Sequence, residues 1–208
     1  MEDVLSVYER PYDPRFPQIC MDETSKQLLG DKRPPLPPAP GQPARYDYEY
    51  ERNAVCNLFV CFEPLQNWRQ LSVTDRRTAI DWAHFMQQLA DERYAHAERI
   101  IVVLDNLNTH GPSSFYEAFA PAEALRLSRR FEFHYTPKHG SWLNMAEIEL
   151  SAVSRTCLAE RIPEKDKLQA QVAACEKERN TNAATVKWRF TTNDARIKLT
   201  KLYPTISV

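Results

Sequence analysis

The sequence predicts an α/β fold, a mixed five-stranded sheet flanked by helices. Three observations carry this. Short apolar runs of strand length recur at 16–23, 54–62, 99–105 and 131–135. Between and after them lie longer segments whose apolar residues approach a 3.6-residue period. The order is a strand meander first, then helix, strand, helix, strand, helix, which adds crossover-connected strands to an antiparallel hairpin and puts helices on both faces.

Each element follows from its residues. The stretch Glu9-Arg-Pro-Tyr-Asp-Pro-Arg-Phe-Pro17 has three prolines and cannot be helical. Residues 1–14 are therefore expected to be a linker remnant or frayed end, as though something preceded them. Phe16 to Glu23 reads as a short buried strand. Pro34–Pro43 is a proline-rich excursion, a stiff surface loop with a partner-docking polyproline segment as the alternative. Tyr46, Tyr48 and Tyr50 alternate with Asp47, Glu49 and Glu51, the period of a half-exposed strand. Ala54–Phe62 is a more buried strand, Glu63-Pro-Leu-Gln-Asn67 a turn, and Trp68–Thr74 the next strand.

Thr74 is expected to cap a helix that carries Ile80, Ala83, Met86 and Leu89 on one stripe to about Tyr94. Arg99–Asp105 is a β-branched run suited to a central strand covered on both faces. Gly111-Pro112-Ser113 opens a helix over 113–129, interrupted at Pro121. Phe131–Tyr135 is the last strand. A helix over 142–161, a charged helix to about Asn180 and a capped helix within 188–204 complete the chain. This order sets the ends of the first and fourth core strands side by side.

Composition narrows the function classes. Of 208 residues 43% are hydrophobic, enough for a buried core, and 27 basic against 28 acidic residues give a net charge of −1. The protein is not a globally basic binder of nucleic acid, although its Lys and Arg could cluster on one face. No run approaches the roughly 18 apolar residues of a membrane span, and the N-terminus lacks the basic start and apolar stretch of a signal peptide. The five cysteines, at 20, 56, 61, 157 and 175, are odd in number and show no Cys-x₂-Cys spacing. Neither a disulfide framework nor a zinc site is expected; buried thiols in a reducing cytosol are.

Three acids carry the chemistry. Asp22 ends an apolar run, Asp105 ends the run Ile-Ile-Val-Val-Leu, and Glu147 lies early in a helical segment. Carboxylates at two strand ends and on a late helix suit a pair of Mg²⁺ or Mn²⁺ ions, which take oxygen ligands and clamp an in-line displacement at phosphorus. Glu23 rivals Asp22, since alternation lets only one of two successive side chains face the site. Glu149 rivals Glu147 from about 200° round the helix and is expected in solvent. Asp105 could equally start a loop, and His110 could orient a carboxylate, contact phosphate or bond a backbone carbonyl. In the loop before Glu147, Lys138 and His139 are candidate phosphate contacts, and Trp142 could stack on an unpaired base or pack in the core. Arg126, Arg129, Arg130, Arg155, Arg161, Lys165 and Lys167 could line a DNA track or be solvated helix faces.

The stretches "CMDE", "VVLDNLNTH" and "TPKHGSWLNMAEIE" together resemble the catalytic blocks of mariner-like bacterial insertion-sequence transposases, members of the DDE superfamily related to retroviral integrases. The resemblance runs from about Arg15 to the end. Where the family usually reads Leu-Asn-Pro-Ile-Glu this chain has Leu143-Asn-Met-Ala-Glu147, and Glu147 follows Asp105 at a longer spacing than the mariner-type norm. The resemblance implies a ribonuclease H-like fold with Asp22, Asp105 and Glu147 as catalytic metal ligands, and two Mg²⁺ or Mn²⁺ ions. It also implies DNA-end cleavage and strand transfer, with transposon ends and target DNA as partners, and opens the possibility of a homodimer. Residues 15–208 would be the catalytic domain with a C-terminal helical extension, without the family's N-terminal helix-turn-helix modules, in the cytoplasm near the nucleoid and away from any membrane. The alternatives are an inactive or regulatory DNA-binding relic, or a nuclease of the same fold that does not join strands.

Overall fold

A computed structural model describes residues 1–203; the last residues of the expected C-terminal extension, 204–208, lie outside the described residues. Five strands form one sheet: β1 (Gln18–Asp31), β2 (Tyr50–Glu63), β3 (Trp68–Thr74), β4 (Ile100–Leu104) and β5 (Phe131–Tyr135), in the order β3-β2-β1-β4-β5. β1, β2 and β3 are antiparallel neighbours, and β4 and β5 join parallel beside β1. β4 is buried along its whole length because helices cover both faces.

On one face lie α2 (Ala79–Gln88), α3 (Pro112–Ala118) and α4 (Pro121–Arg130), packed through Trp82, Phe85, Met86, Phe115 and Leu127 onto Met21, Phe59 and Val102. On the other lie α1 (Glu2–Tyr8), α5 (Met145–Thr156), α6 (Lys165–Thr181) and α7 (Thr192–Lys198). Pro121 begins a new helix, so the interrupted segment is two helices.

Several expectations are corrected. The segment 1–14 is no frayed linker: α1 buries Val4, Leu5 and Val7 completely. Each such side chain contributes about 1.5–3 kcal/mol, and Tyr8 Oη adds a hydrogen bond to Leu143 O at 2.7 Å. The prolines at 11, 14 and 17 exclude helix only beyond Tyr8. β1 runs to Asp31, well past Glu23, because β2 supplies partners as far as the Asp31–Tyr50 pair. The pairing ends at Asp31–Tyr50, so Tyr46 and Tyr48 fall outside the strand and stand exposed. Pro34–Pro43 is an exposed loop as expected, turned by Gly41 at φ 75°.

Thr74 stays in β3 opposite Asn57. The cap of α2 is Thr78, whose side chain accepts from Asp81 N while the Asp81 carboxylate accepts from Thr78 N. Cys157 and Cys175 form a disulfide, with Cα atoms 6.2 Å apart, tying the end of α5 to α6. Sequence spacing held no sign of it because the two helices meet only after 157–164 folds back. Cys20, Cys56 and Cys61 are buried free thiols. Among the described residues no helix is long and apolar enough to cross a membrane.

Candidate active site

The site forms where β4 ends and its parallel pairing with β1 stops; β1 itself continues to Asp31, so Asp22 lies within the strand and not at its end as expected. Their last parallel pair is Cys20–Val103, and Asp22 and Asp105 each stand two residues beyond it. Strand alternation then divides β1. Cys20 packs with Met145 and Ala146 of α5, and Asp22 shares that face. Met21 packs with Trp82 of α2, and Glu23 shares that opposite face.

Asn144 brings the third acid to the first. Its Oδ1 caps α5 by accepting from Ala146 N at 3.1 Å, and its Nδ2 donates to Met21 O at 2.9 Å. One buried side chain thus starts the helix and pins it to the strand beside Asp22, with Glu147 in the first turn. Its role was missed in the sequence, although Asn before Met-Ala-Glu has the form of an N-cap.

The electrostatics follow from this crowding. Burial pushes the Asp22 carboxyl up to about 7; the Glu23 amide, donating to it at 2.8 Å, pulls the other way, and the charges of Glu23, Asp105 and Glu147 push it up further. No basic group is among these strongest influences. Arg77 lies 3.7 Å from Glu23, and Arg179 pairs with Glu149.

His110 sits between two carboxylates. Its Nδ1 lies 2.9 Å from Asp105 Oδ1 and its Nε2 3.1 Å from Glu23 Oε2, and its ring stacks on Trp82. Burial would lower its pKa, but the hydrogen bonds and charges of Asp105 and Glu23 outweigh burial and raise it to about 9. Ligand atoms of Glu23, Asp105 and His110 lie within 4.8 Å of one another, the spacing of a metal cage. His110 Nδ1 is already committed to Asp105 Oδ1, so this trio is better described as a support for Asp105. Of the three readings open for His110, the structure takes the orienting one. Glu23, set aside as the rival of Asp22, reaches Asp105 through His110 from the other face.

A cleft of about 420 Å³ adjoins Asp105 and is lined by Asn106, Leu107, Thr136, Lys138 and His139. Lys138 and His139 are exposed at its rim, on a turn that takes His139 to φ 62°. Trp142 is not among its lining residues; it is 45% exposed and meets Phe190 edge-on at 5.7 Å. Several basic residues are tied up in ion pairs: Arg126 with Asp91 and Glu123, Arg161 with Asp31, Lys165 with Asp75.

The expectation that Glu149 is solvated is overturned. It is buried, chelated by Arg179 at 2.6 and 2.8 Å and 3.0 Å from the fully buried Arg69. Its face of α5 lies under α6 and β3, which the periodicity of one helix cannot reveal.

This sheet order, with carboxylates within its first strand, just past its fourth and on a following helix, defines a ribonuclease H-like domain with a candidate nuclease site. Residues 17–169 match the DDE superfamily endonuclease family, and the chain belongs to that family. No curated protein matches it. Solved structures that share its fold include two Mos1 complexes. The Mos1 mariner paired end complex with Mn is 20% identical with a TM-score of 0.54, and the Mos1 transposase paired-end complex with left transposon end is 19% identical with the same TM-score. Each comparison covers 86% of this chain and 54% of the other, so the chain spans about half the length of these relatives.

Proposed function

We propose that residues 15–208 act as the catalytic domain of a DNA transposase, cutting DNA ends and transferring the strand with two Mg²⁺ or Mn²⁺ ions held by Asp22, Asp105 and Glu147. The observation that carries this is that Asp22 and Asp105 each stand two residues past the last β1–β4 pair, with Asp22 feeling the charges of Asp105 and Glu147 and no basic side chain among its strongest influences. The donor set fits hard divalent cations, which take carboxylate oxygens and would relieve the repulsion. Membership of the DDE endonuclease family supports the reading, as does the presence of Mn in the related Mos1 complex.

The chemistry such ions supply is activation of a water or a 3′-hydroxyl and stabilisation of the leaving 3′ oxygen. The protein's own groups do the rest. Asn144 holds the Glu147 helix to β1, and His110 holds one oxygen of Asp105. Lys138 and His139, at the rim of the cleft beside Asp105, are assigned to the DNA phosphates; Trp142, further along the same turn, is assigned to an unpaired base. DNA ends and target are the partners, a homodimer the assembly, and the cytoplasm near the nucleoid the location. No Ser or Tyr nucleophile is required.

The test is cleavage and joining of labelled duplex DNA in Mg²⁺ and in Mn²⁺. Asp22→Asn, Asp105→Asn and Glu147→Gln should each fall to background while remaining folded. Near-normal cleavage by any of them sinks the assignment of that residue, and cutting without joining would favour the simple nuclease.

A further inference from the structure

We propose that Glu23 is a positioning residue for the site: through His110 it fixes the Asp105 carboxylate in the orientation that receives a cation. This rests on the reading of Asp105 as a metal ligand and adds a residue that the three-acid set does not contain.

The argument begins with what Asp105 lacks. It follows the last residue of β4 and opens the loop leading to α3, and its side chain is 29% exposed. Left alone, such a carboxylate rotates, and a ligand must be held in one orientation to bind well. His110 Nδ1 takes Oδ1 at 2.9 Å, and Oδ2 has no hydrogen-bond partner among the described residues. The imidazole is itself fixed. Trp82 stacks against it with centroids 5.6 Å apart, its backbone N–H donates to Leu107 O at 3.0 Å, and its carbonyl accepts from Tyr135 Oη at 3.2 Å.

The remaining freedom of the ring is rotation within the plane of the stack, and Glu23 Oε2 opposes it from the far side as an ion-pair contact 3.1 Å from Nε2, outside hydrogen-bond geometry. Glu23 stands where the core face of β1 would accept an apolar side chain, one pleat beyond Met21. Its side chain is 5% exposed, and among the described residues the other cation within ion-pair range is Arg77 at 3.7 Å. Burying a carboxylate is costly unless another charge answers it. Nearest to it here are Nε2 of the imidazole that touches Asp105 and the Arg77 guanidinium. The alternation of one strand therefore has two uses: Asp22 enters the site directly, while Glu23 acts on the neighbouring strand's acid from behind.

The test is a direct Mn²⁺ titration of the whole chain, following free Mn²⁺ by electron paramagnetic resonance, with melting curves on the same samples. Glu23→Gln and His110→Gln should each weaken Mn²⁺ binding about tenfold to a hundredfold. The double variant should be no weaker than His110→Gln alone, because both changes break one chain of contacts. Cleavage by Glu23→Gln should need more Mn²⁺ for half-maximal rate yet recover most of its rate at saturation, whereas loss of a true ligand is not recovered. An affinity within about twofold of the parent overturns the inference; so does a double variant that loses the product of the two single effects, which would make Glu23 a ligand in its own right. A purely structural role would lower the melting temperature and leave Mn²⁺ affinity alone. If Glu23→Gln does not fold, Glu23→Met fills the same space without a polar atom and repeats the measurement. Asp22→Asn and Asp105→Asn serve as references: if they too bind Mn²⁺ normally, the reading of the site itself fails, whereas weakened references beside a normal Glu23→Gln reject only this inference.

Discussion

Glu147 and Glu149 lie one residue apart on α5 and meet opposite surroundings. Glu147, half-buried, adds its charge to those around Asp22 and Asp105 and makes no ion pair among the described residues. Glu149 is sealed beneath α6, with Arg179 and Arg69 on its oxygens. The same side chain is, on the proposed reading, a ligand in one place, and in the other a rivet. Compensation decides which: a buried charge answered within the protein holds the fold together, and a group of charges left unanswered waits for an ion from solution.

The sharpest way to break this comparison is to neutralise each glutamate. Glu147→Gln should take DNA cleavage to background in both Mg²⁺ and Mn²⁺ and leave the melting temperature in the absence of metal unchanged or raised. Glu149→Gln should do the reverse. It leaves Arg69 and Arg179 facing a neutral group in a buried place, a loss of about 3–5 kcal/mol, while cleavage per folded molecule stays near the parent's. Cleavage and thermal melts on both variants decide it. A dead but stable Glu149→Gln would mean that the roles are exchanged.

A smaller effect should come from the Cys157–Cys175 bond, which closes a loop with a sequence separation of 18 between the helices that carry Glu149 and Arg179. Chain-entropy arguments give about 3 kcal/mol for a loop of this size. Reduction, or Cys175→Ser, should lower the melting temperature by several degrees, roughly 2–4 °C per kcal/mol, with Mn²⁺ affinity little changed. A melt that ignores reductant would show that the ion cluster alone secures α6.

The smallest effect concerns pH. The Asp22 carboxyl is raised to about 7 from 3.8, so the folded state binds more protons than the unfolded chain between these values. Stability of the metal-free protein should then fall as pH rises from about 4 to about 7. Asp22→Asn should flatten that stretch and raise the melting temperature by a few degrees above it. His110, raised to about 9 from 6.5, contributes stability that is complete below about 6.5 and is lost as pH rises through 9. Its decline should survive in Asp22→Asn and disappear in His110→Gln. Melting curves across pH separate the two; a single unbroken slope in every variant would refute both assignments.

Much of this protein was legible from its residues. The runs at 99–105 and 131–135 mark β4 and β5 because a strand covered on both faces must be apolar throughout. Asp22 and Asp105 declare themselves as acids closing such runs, and the order of elements brings their strands together. The prolines at 112 and 121 open α3 and α4 because proline suits a first helical turn. These are local signals, written in periodicity and in the backbone limits of single residues.

What the tertiary structure decided depends on groups far apart in sequence. Val4, Leu5 and Val7 make a helix of the N-terminal segment only because β1, β4 and α5 give them a surface to bury. Glu149 is buried because Arg179, on α6, folds back over it. Cys157 finds Cys175 by the same folding-back. Asn144 joins α5 to β1 through Met21, and Glu23 reaches Asp105 through His110. A single sequence reveals which side of a strand or helix a residue occupies, since that repeats with the local geometry. It does not reveal what lies opposite, and for a charged group the energy of burial is set by what lies opposite.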